Sequence, residues 1–210
     1  MSAPALEVRA LGCTVGNRRL FDALDFAIPP GAWTMLTGTN GSGKSTLLRI
    51  VAGLVPPTAG TVLWHGAERR RGDPAWHGAL VYQGHASGWK DPLSTRENLA
   101  MQAWLDGGPP SPQALDAALE RTGLTRQRRL PFTRLSAGQR RRLGLARLAL
   151  STRPLWLLDE PTTALDSDGQ ALFAGLLDEH LARGGCALVA THLGLPVRTA
   201  ALPLRLGTTG

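Results

Sequence analysis

The chain has 210 residues, 43% of them hydrophobic and 19% charged, with 25 glycines and 15 prolines. This is globular composition, long enough to bury a real core, and it excludes disorder and collagen-like repeats. The net charge of +7 is local: eight of the 23 Lys and Arg residues are arginines between 121 and 142, where no acid occurs, so the remainder is near neutral and argues against a uniformly basic nucleic-acid-binding coat.

No cationic start followed by an apolar stretch marks the N-terminus, and no run approaches the roughly 18 apolar residues of a spanning helix. Any membrane role is therefore expected to run through a partner. Cys13 and Cys186 lack metal-ligand spacing, and a reduced cytosolic protein is the expectation.

In chain order, residues 6–11, 24–28 and 33–36 read as short strands, with Pro29-Pro30-Gly31 turning into the last. A glycine loop follows. Residues 43–54 carry Leu47, Leu48, Val51 and Ala52 at helical spacing and stop before Pro56-Pro57. Residues 79–83 read as a strand, and 85–133 as a helical insertion with helices over 95–104 and 112–122. Ser136 is suited to cap a helix running to about 150. Residues 155–158 form a buried-strand candidate, 169–183 an amphipathic helix and 186–191 a further strand. Alternating strands and helices predict a parallel α/β core.

The loop Gly38-Thr39-Asn40-Gly41-Ser42-Gly43-Lys44-Ser45, followed by Thr46, matches GxxxxGK[ST] between a strand and a helix. Glycines let successive amides turn toward a β-phosphate, and the helix presents its positive end to the same anion. Lys44 is expected to reach the β- and γ-phosphates of ATP, and the Ser45 hydroxyl to ligate Mg²⁺. Leu155 to Leu158 leads into Asp159 and Glu160, as in a Walker B strand. Asp159 is expected to hold the Mg²⁺ and Glu160 to polarise the attacking water.

Leu135-Ser136-Ala137-Gly138-Gln139 resembles the LSGGQ signature of ATP-binding cassette (ABC) ATPases, with Ala137 in place of glycine. Thr163-Ala164-Leu165-Asp166 resembles the family's D-loop, and His192, after the last strand, its switch histidine. The resemblance implies the following: a P-loop NTPase core of ABC type, with a β-rich N-terminal part and a parallel sheet; one cassette over 1–210, carrying the helical subdomain at 85–133; and a head-to-tail homodimer, each ATP lying between one phosphate loop and the partner's Ser136, Ala137, Gly138 and Gln139. His192 is then expected to orient water and γ-phosphate. Where the family commonly stacks an aromatic on adenine, this chain has Val15, which leaves nucleobase selectivity open. The family's Q-loop glutamine, a Mg²⁺ or water ligand, falls on Gln83 or, counting back without gaps, on His85.

Gly84-His85-Ala86-Ser87-Gly88-Trp89-Lys90, then Leu93-Ser94 and Glu97-Asn98-Leu99, resembles the ATP-binding subunits of cytochrome c maturation, or haem exporter, complexes. The stretch Arg18 to Leu24, the LSAGQ form and Pro154 to Pro161 add to that similarity. It implies a peripheral ATPase on the cytoplasmic side of the bacterial inner membrane, held by CcmB-like and CcmC-like integral subunits. ATP hydrolysis would then drive release of a haem-loaded chaperone or haem translocation. The alternatives are the ATPase of a different ABC exporter and a soluble nucleic-acid- or ribosome-associated cassette. The arginines of 121–142 are expected to form a solvated helix face, or to attract ATP phosphates and an anionic leaflet.

Overall fold

The computed structural model describes residues 3–69, 72–84 and 88–207. Strands β1 (Leu6–Val15) and β2 (Arg18–Ile28) form a hairpin, and β3 (Trp33–Thr37) runs into the phosphate loop and helix α1 (Lys44–Val51). Then come β4 (Ala59–Trp64), β5 (Ala67–Glu68), α2 (Pro74–Ala79) and β6 (Leu80–Gln83). Two helices follow, α3 (Thr95–Gly107) and α4 (Pro112–Arg121), and after two short 3₁₀ turns α5 (Ala137–Leu150). The chain closes with β7 (Leu155–Asp159), α6 (Ser167–Ala182), β8 (Cys186–Ala190) and β9 (Leu202–Arg205).

The strands make two sheets. One is antiparallel, ordered β2-β1-β4-β5, and the other is parallel, ordered β6-β7-β8-β3-β9. Every residue of β7 and β8 is buried, as expected of central parallel strands covered on both faces. Period-two alternation decides which way each residue points. Leu155 and Leu157 join Leu188, Leu47 and Leu48 on the face toward α1 and the antiparallel sheet. Trp156 and Leu158 join Val189, Leu145, Phe173 and Leu177 on the face toward α5 and α6. Each such buried leucine contributes about 1.5–3 kcal/mol of transfer free energy.

A third cluster joins Leu99, Leu115, Leu119, Leu124 and Phe132 to Leu143 and Ala146 on another side of α5. Side-chain caps fix where the helices start. Ser94 and Glu97 form a capping box on α3, Ser136 and Gln139 another on α5, and Ser111 and Asp166 cap α4 and α6. The joint between this helical part and the parallel sheet is ionic. Asp106, at the end of α3, accepts two hydrogen bonds from Arg147 of α5, at 2.6 and 2.8 Å. Arg147 also donates to the Tyr82 carbonyl, and Arg153 to the carbonyls of Leu80, Leu105 and Asp106.

The expected elements are present, with longer strands in the first hairpin and a helix α1 that ends at Val51. Strands β4, β5 and β9 and helix α2 carry too little pattern to read in advance. In β4, Gly60 lies against the Ala10 carbonyl, where a Cβ would sit 2.3 Å from the oxygen, so glycine marks a close approach. β9 contains Pro203 and is an edge strand, where a missing amide is tolerated. Cys13 and Cys186 are both free and buried.

His180 of α6 is 3% exposed and stacks on Trp156, with centroids 3.9 Å apart. Its Nε2 pairs with the Cys186 carbonyl at 3.1 Å. Burial pushes its pKa down to about 4, against the opposing pull of that carbonyl. Between the unfolded value and about 4, the unfolded chain holds the extra proton, so stability falls as pH drops through that window. The shift corresponds to about 3 kcal/mol at most. Urea midpoints measured from pH 7 to 4 should decline, and His180→Leu should flatten that decline.

Candidate functional site

The loop between β3 and α1 is built around backbone approach. At Gly38, with φ 152°, a Cβ would sit 2.5 Å from Ser42 Oγ and 2.7 Å from the Leu206 carbonyl oxygen, so only glycine fits. Gly43 precedes α1 at φ 101° and supplies no side-chain cap, which leaves the first amides of the helix aimed into the loop. Lys44 is buried, and its Nζ donates to the Gly38 carbonyl at 2.8 Å and the Thr39 carbonyl at 3.3 Å.

This loop forms one wall of a cleft of about 1070 Å³. Asn40, Gly41, Gly43, Lys44, Ser45 and Thr46 line it on one side, and Asp159, Glu160 and His192 on the other. Neighbouring positions in the parallel sheet produce the match: β3 carries the loop at its carboxyl end, β8 lies beside it, and β7 lies beside β8. Asp159 is buried at the end of β7. Glu160, one residue on, takes a left-handed backbone (φ 50°) held by its amide donating to the Ala190 carbonyl at 2.9 Å. Glu160 Oε1 then lies 3.4 Å from Nε2 of His192, which follows β8.

Of three further residues in this cleft, only Val15 was expected beside the nucleotide. Arg18, at the start of β2, lines it, and its Nη1 lies 3.6 Å from where a Gly41 Cβ would be. Thr162 also lines it, with a buried Oγ1 that has no partner among the described residues. Val15 lines the outer wall and is 58% exposed. Only the folding back of the β1–β2 hairpin brings Val15 and Arg18 there.

Gln83 lies elsewhere. It ends β6 in a separate cleft of about 510 Å³ with Trp89, Phe132, Arg140 and Arg141, its Oε1 buried without a partner among the described residues. A Cβ on Gly144 of α5 would sit 2.3 Å from its Nε2. The rival position, His85, lies outside the described residues. Ser136, the N-cap, and Ala137 are exposed at the start of α5, Gly138 and Gln139 are half-buried, and none of the four lines the cleft of the phosphate loop. Ser136 Oγ accepts from the Gln139 amide at 3.2 Å. Asp166 caps α6, and the Gly169 amide and then Arg142 hold its carboxyl below the usual range.

The arginine segment is not one solvated face. Arg121 pairs with Glu179, Arg140 lies over the Phe132 ring at 4.9 Å, and Arg142 donates to Asp166 at 2.7 Å. Arg141 is half-buried and donates to the Thr163 carbonyl. Burial pushes its pKa down, while Asp159 and Glu160 pull it back up. Arg126, Arg128, Arg129 and Arg134 remain exposed. In the stretch after Gly84, Asn98 is fully buried, accepts from the Lys90 amide and donates to the carbonyls of Lys90, Leu93 and Ser94.

The family model described as ABC transporter matches residues 21–163. The cytochrome c biogenesis ATP-binding export protein CcmA of Cupriavidus necator is 47% identical over 96% of this chain and 89% of its own length. The protein of that name from Pseudomonas aeruginosa is 44% identical over 92% of this chain and 96% of its own. Among solved structures, an ABC transporter ATP-binding protein from Pyrococcus furiosus superposes with a TM-score of 0.81 at 22% identity, covering 96% of each chain, which speaks for the fold. Identities near one half across almost the whole of both sequences leave no room for a chance match, and the chain belongs to the ABC transporter family, among its cytochrome c biogenesis ATP-binding export proteins.

Proposed function

We propose that this chain is the ATP-hydrolysing subunit of a haem exporter complex in cytochrome c biogenesis. The observation that carries the chemistry is the single cleft holding the phosphate loop opposite Asp159, Glu160 and His192. The names of the relatives support the biological setting.

Within that cleft the loop amides and the α1 N-terminus bind the phosphates, and Lys44 exchanges its two carbonyl partners for phosphate oxygens. Arg18 adds positive charge on the same wall. Ser45 and Asp159 offer hydroxyl and carboxylate oxygens, the hard donors that suit Mg²⁺. When bound, Mg²⁺ neutralises charge on the phosphates. Glu160 accepts a proton from the attacking water, and His192, close to Glu160, orients that water against the γ-phosphate. Gln83 serves the ion only if β6 shifts toward the cleft.

The signature residues lie outside this cleft, so they are assigned to a partner's ATP in a head-to-tail homodimer, where the Ser136 hydroxyl and the α5 N-terminus contact the γ-phosphate. Residues 85–133 act as the helical subdomain, and its segment 84–99 faces the CcmB-like and CcmC-like membrane subunits. No helix among the described residues is long and apolar enough to cross a membrane. With its relatives named as export proteins, the chain is assigned to the cytoplasmic side of the inner membrane through those subunits.

Co-purification from membranes tests the setting: recovery with CcmB-like and CcmC-like subunits is expected, and recovery with an unrelated exporter's subunits overturns it. Val15 lacks a π-face, so ATP and GTP should bind within about threefold of each other. Val15→Tyr should tighten both by about tenfold through stacking, as read by nucleotide titration.

A further inference from the structure

The signature helix is fastened to the acid-bearing turn of its own subunit. At the start of α5, Gly138 packs so closely that a Cβ there would sit 3.1 Å from the Ala164 carbonyl oxygen. One turn on, Arg141 Nε donates to the Thr163 carbonyl at 3.3 Å, and beside it Arg142 donates to Asp166. The segment that receives these contacts contains two left-handed non-glycine residues, Glu160 at φ 50° and Ala164 at φ 65°. Side-chain-bearing residues keep such a backbone only where their surroundings hold it. Arg142 holds the Asp166 side chain, which is 63% exposed, whereas Arg141 reaches the backbone of the turn itself at the Thr163 carbonyl. Arg141 is therefore the arginine whose loss frees the turn's main chain.

We propose that Arg141 is a positioning residue that couples the two ATP sites of the dimer, by locking the Glu160 turn of one site to the helix whose N-terminus serves the other. This rests on the head-to-tail dimer proposed above. α5 is 14 residues long and is packed through Leu143, Leu145, Ala146 and Leu148, so it moves as one body. A displacement of the 160–166 turn is passed through Arg141 to Ser136. Without the tie, each turn settles independently of the opposite site.

The test compares Arg141→Gln, Arg141→Lys and the control Arg140→Ala, whose parent side chain faces Phe132 and the Thr133 carbonyl instead. ATP affinity at low protein concentration, kcat, KM and the Hill coefficient for ATP are measured, together with thermal unfolding. Arg141→Gln should fold and bind ATP within about twofold of the parent. Its kcat should fall about 10–100-fold, the scale of a mispositioned catalytic group, and its Hill coefficient should drop from above 1 toward 1. Arg141→Lys should recover part of both, and Arg140→Ala should match the parent.

Parental kcat and cooperativity in Arg141→Gln overturn the proposal. So do a non-cooperative parent, equal losses in Arg140→Ala, and losses that simply follow thermal stability or ATP affinity. Sedimentation of Glu160→Gln with ATP separates the two ideas. If it stays monomeric, the dimer fails and the coupling with it; if it dimerises while Arg141→Gln remains as cooperative as the parent, only the coupling fails.

Discussion

Glu160→Gln is expected to bind ATP about as tightly as the parent chain while losing about 10²–10³ of its turnover, the range that a positioned general base contributes. The backbone supports this as a clean substitution. Glu160 is held in its left-handed conformation by an amide-to-carbonyl bond to Ala190, which glutamine leaves intact. Lys44 Nζ donates to the Gly38 and Thr39 carbonyls and not to the changed carboxyl. Binding and hydrolysis should therefore separate: nucleotide titration unchanged, phosphate release nearly abolished, and an ATP-trapped dimer on sedimentation. Normal turnover in this variant would remove Glu160 from the mechanism.

The second large effect concerns stability. Asp106→Ala removes the carboxylate facing Arg147 and Arg153, whose side chains are only 15% and 14% exposed, while Asp106 itself is 9% exposed. Breaking a buried pair from one side costs about 3–5 kcal/mol, because the remaining charge stays desolvated. For a chain of this size that lowers the melting temperature by about 10 °C. Arg153 keeps its carbonyl partners, whereas Arg147 loses both short bonds and keeps only the 3.4 Å bond to the Tyr82 carbonyl, so Arg147 is the more exposed to the loss. The double change Asp106→Ala with Arg147→Met should recover much of the loss. Calorimetry on the three proteins reads this directly; a single Asp106→Ala variant as stable as the parent would show that the joint between α3, α5 and β6 is held by packing alone.

Much of the site was legible because it is written in short local patterns. A phosphate loop needs glycines at fixed offsets for its amides to turn inward, and an apolar strand ending in Asp159-Glu160 needs only its own residues. The capping pair Ser136 and Gln139 is likewise local. The segments that escaped reading had their reasons elsewhere in the molecule: β4 depends on Gly60 meeting the Ala10 carbonyl, and α2 is six residues long, too short for a helical period to register.

The arginines mark the same boundary. Their number and clustering between 121 and 142 are composition, yet one covers a phenyl ring, one ties down the Thr163 carbonyl and one meets Asp166. Gln83 shows it too: its family position suggested an ion ligand, but packing against Gly144 turns it into a second cleft. The sequence by itself determined the glycine loop, the acid-tipped strand and their succession along the chain, because these follow from backbone geometry over a few consecutive residues. Only the tertiary structure decided which distant side chains come together: Arg18 and Thr162 in the cleft of the phosphate loop, and Arg141 on the carbonyl of Thr163. Those neighbours are set by hairpin folding and helix packing, through contacts between residues far apart in the chain.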